Sequence, residues 1–110
     1  MKDVFCRIVK GEVPAKKVFE SAEILAIEDA DPKAKIHILI FPKLHVVESV
    51  NDKIPERLPG EIFTTVREVA EKLGFENSGY RVITNHQSDA EQSVDHLHFH
   101  VLAGEKLKDI

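Results

Sequence analysis

The sequence predicts an α+β fold built on a mainly antiparallel five-stranded sheet with one long and one short helix. Several short runs are rich in β-branched residues, and residues 61–73 keep helical periodicity throughout. The runs follow one another as a short helix, three strands, a long helix and two strands. No repeat or linker is visible across the 110 residues, so a single domain spanning 1–110 is expected.

The elements read in order as follows. "VFCRIVKGEVP" spaces Val4, Phe5, Ile8 and Val9 along one face of a short helix that Gly11 and Pro14 end. "KVFES" and "ILAIED" form a hairpin, and "IHILIFP" is a strongly β-favouring run closed by Pro42. "ESVNDKIPERLPG", punctuated by Pro55, Pro59 and Gly60, reads as a loop with at most one helical turn. In "EIFTTVREVAEKLG", Ile62, Phe63, Val66, Val69, Ala70 and Leu73 share a face, Glu68 and Lys72 are an i,i+4 pair, and Gly74 caps the end. "GYRVIT" and "VDHLHFHVLA" are the last two strands, separated by the polar loop "NHQSDAEQS".

Composition narrows the function classes. The chain is 43% apolar and 31% charged, which excludes low complexity and disorder. A net charge of −4 offers no general attraction for nucleic acid or anionic membranes. The first fifteen residues lack the apolar stretch of a signal peptide. No run approaches the roughly 18 apolar residues of a membrane span. With one cysteine, Cys6, no intrachain disulfide can form, and a cytoplasmic setting is expected.

Half of the six histidines fall in "HLHFH". On a strand, His96, His98 and His100 would line one open face roughly 6–7 Å apart, with Leu97, Phe99 and Val101 turned to the core. A solvated polar face, a metal site and a catalytic centre all fit this alternation. Flat strand spacing brings at most two of the three imidazoles to one ion, because each must approach to about 2.0–2.1 Å. His45 and Cys6 could supply further ligands. Catalysis would use one histidine as nucleophile or base and its neighbours for proton handling. Asn85, Gln92 and Ser93, in the preceding loop, are of a kind that holds phosphate oxygens.

"QSVDHLHFHVL" resembles the signature of the histidine triad (HIT) family, in which three histidines alternate with apolar residues. "VFCRIVKGEVPAKKVFE", "DADPKAKIHILIFPKLH" and "GYRVITN" resemble further segments of that family, so nearly the whole chain is covered. The branch containing the Hint nucleotide-binding proteins is the nearest fit. The resemblance implies the HIT fold and a homodimer whose sheets join across an interface that includes the long helix. It also implies a purine nucleotide (AMP-like) substrate cleaved at its α-phosphate, with no cofactor required and neither nucleic acid nor membrane as a partner. His98 falls at the position of the nucleophile, which forms a nucleotidyl-histidine intermediate. His100 matches the residue that assists the leaving group, His96 the one that orients the nucleophile, and His37 the family's fourth histidine. Asn85, Gln92, Ser93 and Val94 match the phosphate-binding positions, Asp29 the ribose-binding acid, and Ile27 and Ala30 the wall of the base pocket.

Two departures stand out. Glu91 occupies a position where the family usually has glycine, adding bulk and negative charge beside the phosphate site. After the triad, "AGEKLKDI" replaces the Gly-Gly-Arg segment of many relatives. The resemblance also maps a structural-zinc set onto Asp3, Cys6, His45 and His96, with Asp3 in place of the first cysteine. On the alternative reading Cys6 is a small buried apolar residue. Phosphoramidate hydrolysis leads the expected activities. Dinucleoside polyphosphate cleavage and non-catalytic nucleotide or zinc binding are the alternatives.

Overall fold

The computed structural model describes residues 3–44, 55–86, 88–90 and 96–109. The elements are α1 (Val4–Val9), β1 (Lys17–Glu20), β2 (Ile24–Glu28), β3 (Ile36–Pro42), α2 (Arg57–Leu73), β4 (Arg81–Thr84) and β5 (Phe99–Ala103), with a 3-10 turn at Ser88–Ala90. The strands form one five-stranded sheet in the order β1-β2-β3-β5-β4. All neighbouring strands are antiparallel. The predicted class and element order are those observed.

The sheet lies between the two helices. On one face Ala26, Ile38, Ile40, Phe99 and Val101 pack under Ile62, Val66, Val69 and Ala70 of α2. On the other, Leu25, Ile27, Leu39 and Phe41 pack under Phe5 and Ile8 of α1. Burial on both faces explains why β2 and β3 read as continuous apolar runs rather than alternating ones. Phe5 stacks on Phe41 with ring centroids 4.4 Å apart, which fixes α1 over the end of β3. Asp3 caps α1 by accepting the Cys6 N–H at 2.8 Å.

Four expectations need correction. The helix α2 begins at Arg57, four residues before the predicted start, and takes in Pro59 and Gly60. The first four N–H groups of a helix have no intrahelical partner, so proline in the first turn sacrifices no hydrogen bond. Phe63 and Leu73 are exposed at 55% and 39%, although the remainder of their predicted face is buried. Lys72 donates to the Val18 carbonyl at 2.6 Å, tying α2 to β1 in place of the expected pair with Glu68. The strand β5 starts at Phe99, so His96, Leu97 and His98 precede it in irregular backbone. Gly74 ends α2 in the left-handed conformation (φ 81°), its N–H bonded to the Ala70 carbonyl as the sequence predicted.

Truncation of the fully buried Ile62 to alanine is expected to lower unfolding free energy by about 2–5 kcal/mol in denaturant titrations. Arg67→Ala on the exposed face of the same helix should change it by less than about 0.5 kcal/mol.

Candidate active site

Three of the four histidines singled out from sequence are buried: His96 is 0% exposed, His98 2% and His37 6%. His100 is partly exposed. The open polar face expected from strand alternation is therefore absent, because α1 covers it. The Phe5 ring lies 5.0 Å from that of His98 and 5.5 Å from that of His96. A buried imidazole needs partners for both nitrogens, and main-chain groups supply several of them.

Those partners assign the protons. His98 Nδ1 lies 2.7 Å from the His96 carbonyl, which can only accept, so Nδ1 carries hydrogen and Nε2 keeps its lone pair. Thr84 Oγ1 donates to the His98 carbonyl at 2.8 Å and holds the same segment from β4. The Lys33 N–H donates to His37 Nδ1 at 3.0 Å, so the proton of neutral His37 sits on Nε2. That nitrogen lies 2.9 Å from His100 Nδ1 and 3.3 Å from Asp29 Oδ2. His100 Nδ1 is thus an acceptor, and His100 Nε2–H is left as a donor. Asp29 is oriented in turn by the Asp31 N–H on Oδ1 at 2.8 Å.

Burial is the first cause that moves these groups. It lowers the pKa of His98 against the opposing pull of the hydrogen bond to the His96 carbonyl. It lowers that of His37 against the neighbouring Asp29 carboxylate. His100 is lowered to about 4 by burial first and then by repulsion from His98 and His37. All three are neutral near pH 7 in the free protein.

His98 and His100, whose rings lie 5.1 Å apart, open onto a cavity of about 740 Å³ between α1 and the ends of β2 and β3. Its apolar wall includes Phe5, Ile8, Ile27, Ala30 and Leu39, and Asp29 stands at its edge. The volume lies in the range of small-molecule sites. A second cavity of about 500 Å³ shares Asp29 and His100 with the first and is bordered also by Asn85, His37 and Lys33. The structure thus brings His37, His98, His100, Asp29, Asn85, Ile27 and Ala30 around two adjoining cavities. Gln92, Ser93 and Val94, as well as Glu91 and His45, lie outside the described residues.

His96 borders neither cavity. Its Nε2 lies 2.7 Å from the Pro42 carbonyl and must carry hydrogen, yet Nδ1 faces Asp3 Oδ2 at 3.1 Å and Cys6 Sγ at 3.7 Å. The Cys6 thiol is placed to donate to Nδ1, and a metal ion at this point would draw on the imidazole, the carboxylate and the sulfur together. Burial works against the charge of Asp3, but the Cys6 N–H and then His96 outweigh it and hold the carboxyl below its ordinary value. Burial raises the Cys6 thiol. The donor atoms of Asp3, Cys6 and His96 all lie within 4.8 Å of one another, and they fit a metal of the zinc type. The other imidazole nitrogen, bonded to a carbonyl, is the usual support of such a ligand. Cys6 is only partly buried, so it is not a core residue.

Sequence reasoning missed Phe5, the Pro42 carbonyl and the Lys33 N–H as parts of the site. Main-chain groups have no signature in the side-chain pattern. Phe5 was read only as part of an amphipathic face.

The profile of the HIT domain matches residues 10–107. The chain belongs to the HIT family. A HIT-like protein of Helicobacter pylori is 41% identical over 104 residues, covering 94% of this chain and 98% of its own. Among solved structures, a HIT family hydrolase from Legionella pneumophila superposes with a TM-score of 0.91 at 38% identity, covering 97% of this chain and 96% of its own. A histidine triad nucleotide-binding protein from Candida albicans does so with a TM-score of 0.82 at 30% identity, covering 97% and 84%. The fold is that of HIT family hydrolases and nucleotide-binding proteins.

The depressed His100 sets a pH window for stability. Between pH 6.5 and about 4 the unfolded chain binds a proton at this position that the folded chain does not. Stability from this group is therefore complete above pH 6.5 and falls by on the order of 3 kcal/mol as pH drops to about 4. Thermal melts across that range should show a shallower loss for His100→Gln than for the parent protein.

Proposed function

We propose that this HIT protein hydrolyses purine nucleoside 5′-phosphoramidates, or related adenylates, at the α-phosphate through a nucleotidyl-histidine intermediate. The carrying observation is His98: its Nδ1 is held on the His96 carbonyl at 2.7 Å, and burial keeps the ring neutral. Its Nε2 lone pair is then available to a substrate in the adjoining cavity. The relatives named as a hydrolase and as a nucleotide-binding protein support the same reading.

In this reading the nucleoside occupies the 740 Å³ cavity, with the base against Ile27 and Ala30 and the ribose hydroxyls on Asp29. Asn85 donates to the phosphoryl oxygens, together with Gln92, Ser93 and Val94 of the phosphate-binding positions. The anionic phosphoryl group favours uptake of one proton by the His37–His100 pair, opposing the burial that keeps both neutral in the free protein. His98 Nε2 attacks phosphorus, and the electron pair of the scissile P–N bond passes to nitrogen. His100 Nε2 delivers the proton, so the amine leaves neutral. Neutral His100 then takes a proton from the water that attacks the phosphohistidine, releasing the nucleoside monophosphate and free His98. Two displacements with a good leaving group at each stage replace one difficult step.

A zinc ion held by Asp3, Cys6 and His96 would act structurally, tying the start of α1 to the segment that carries His98. The exposed Phe63, 6.1 Å from Phe99, and Leu73 suit the expected role of α2 in a homodimer interface.

His98→Ala is expected to abolish turnover of an adenosine phosphoramidate, a fall of at least about 1000-fold, while AMP binding by calorimetry changes little. Full activity in that variant would refute the assignment. In the parent protein, acid-free trapping and mass spectrometry should find an adenylylated His98. Faster turnover of a diadenosine polyphosphate than of the phosphoramidate would move the substrate to the alternative class. Phe63→Glu should shift the protein toward monomer in sedimentation velocity, whereas a parent protein that sediments as monomer would remove the dimer.

A further inference from the structure

A bond that holds His98 comes from the face of the sheet turned away from both cavities. The ladder between β4 and β5 ends at the pair Thr84↔Phe99, next to the pair Ile83↔His100. Residues paired across antiparallel strands carry their side chains on the same face, and successive pairs alternate between faces. Ile83 and His100 border the smaller cavity. Phe99 belongs to the core beneath α2. Thr84 is therefore on the α2 side, exposed, and it borders neither cavity.

From there its hydroxyl reaches across the end of the sheet and donates to the His98 carbonyl at 2.8 Å. His98 is thus held twice: its carbonyl by β4, and its Nδ1 by the His96 carbonyl at 2.7 Å. The second bond lasts only while residues 96–98 keep their bend, because donor and acceptor belong to the same short segment. The first bond ties that bend to the sheet. It also ties it to the residue after Thr84, Asn85, which borders the smaller cavity. Threonine at a strand end is accounted for by β-propensity alone, but the bond to His98 is not. Valine keeps the shape and the strand preference and lacks the donor. Water can satisfy the carbonyl without fixing it to β4, so the hydroxyl contributes position more than stability.

We propose, resting on the reading of His98 as the nucleophile, that Thr84 is a positioning residue for it. The Thr84 hydroxyl holds the bend that keeps hydrogen on His98 Nδ1 and the lone pair on Nε2, and it keeps that nitrogen in register with Asn85. Thr84 touches no substrate and acts through the main chain of His98.

The test pairs a spectroscopic readout on the free protein with kinetics. At neutral pH, the imidazole nitrogen resonances of the parent protein should show His98 as one tautomer, with a pyrrole-type Nδ1 and a pyridine-type Nε2. In Thr84→Val the Nε2 resonance should move toward the pyrrole type or gain a second position there. In Thr84→Ser it should stay where it is. For an adenosine phosphoramidate, kcat should fall roughly three- to tenfold in Thr84→Val, the scale of one lost neutral hydrogen bond, with KM changed by less than about twofold. Thr84→Ser should keep kcat within about twofold of the parent. Because the site is exposed, Thr84→Val should fold, and its melting temperature should stay close to that of the parent. Parent-like resonances or a parent-like kcat in Thr84→Val overturn the proposal, as does a serine variant as impaired as the valine one. A loss carried by KM with an unmoved His98 resonance assigns Thr84 to substrate binding and overturns it too. If the parent protein turns over no phosphoramidate, the reading of the reaction fails, and the resonances still decide whether Thr84 holds the tautomer.

Discussion

The hydrogen bond from His98 Nδ1 to the carbonyl two residues before it, 2.7 Å long, underlies the chemistry the site can perform. It forces the lone pair onto Nε2. It requires residues 96–98 to leave regular strand geometry, since a carbonyl in a sheet ladder would point to a neighbouring strand. The irregular segment is in turn held by His96 on the Pro42 carbonyl and by Thr84 on the His98 carbonyl. Phe5 then closes over both rings. Sheet, helix α1 and tautomer are therefore parts of one arrangement, and loosening any one releases the others.

Burial and polarity pull in opposite directions at this site. Covering imidazoles with phenyl rings lowers their affinity for protons, which suits a nucleophile but works against an acid. His98 and His100 both border the larger cavity, yet of the two His98 adjoins Phe5 while His100 adjoins His37 and, through it, Asp29. Burial outweighs the pull of the Asp29 carboxylate and leaves His100 neutral in the free protein. In the proposed reaction, the same carboxylate supports a proton on the pair once a phosphoryl anion arrives. In the proposed reaction, the two roles are thus separated by neighbours: a phenyl ring for His98, a second imidazole for His100.

The sheet, both helices and the histidine cluster were legible in the sequence because periodicity and the spacing of Gly and Pro report local backbone directly. The hairpin of β1 and β2 and the cap at Gly74 are of this kind. The start of α2 was not legible, since Pro59 and Gly60 read as breakers although the first turn tolerates both. The burial of His96 and His98 was hidden for another reason. Alternation with Leu97 and Phe99 says that the histidines face away from one core, but not that α1, from the other end of the chain, builds a second core over them. The division of the histidines between Asp3 and Cys6 on one side and Asp29 on the other likewise depends on tertiary contacts.

The strand order carries a consequence for how the protein acquires its site. β5 inserts between β3 and β4, and the His37–His100 bond joins residues 63 apart. Such a closure is entropically costly and tends to come late in folding. A chain that has formed its amino-terminal hairpin and its long helix still lacks the His37–His100 pair, because half of it arrives with the final strand. Unfinished copies emerging from synthesis would thus hold their histidines apart and be chemically silent. On the proposed reading, reactivity at His98 becomes a property of the completed molecule alone.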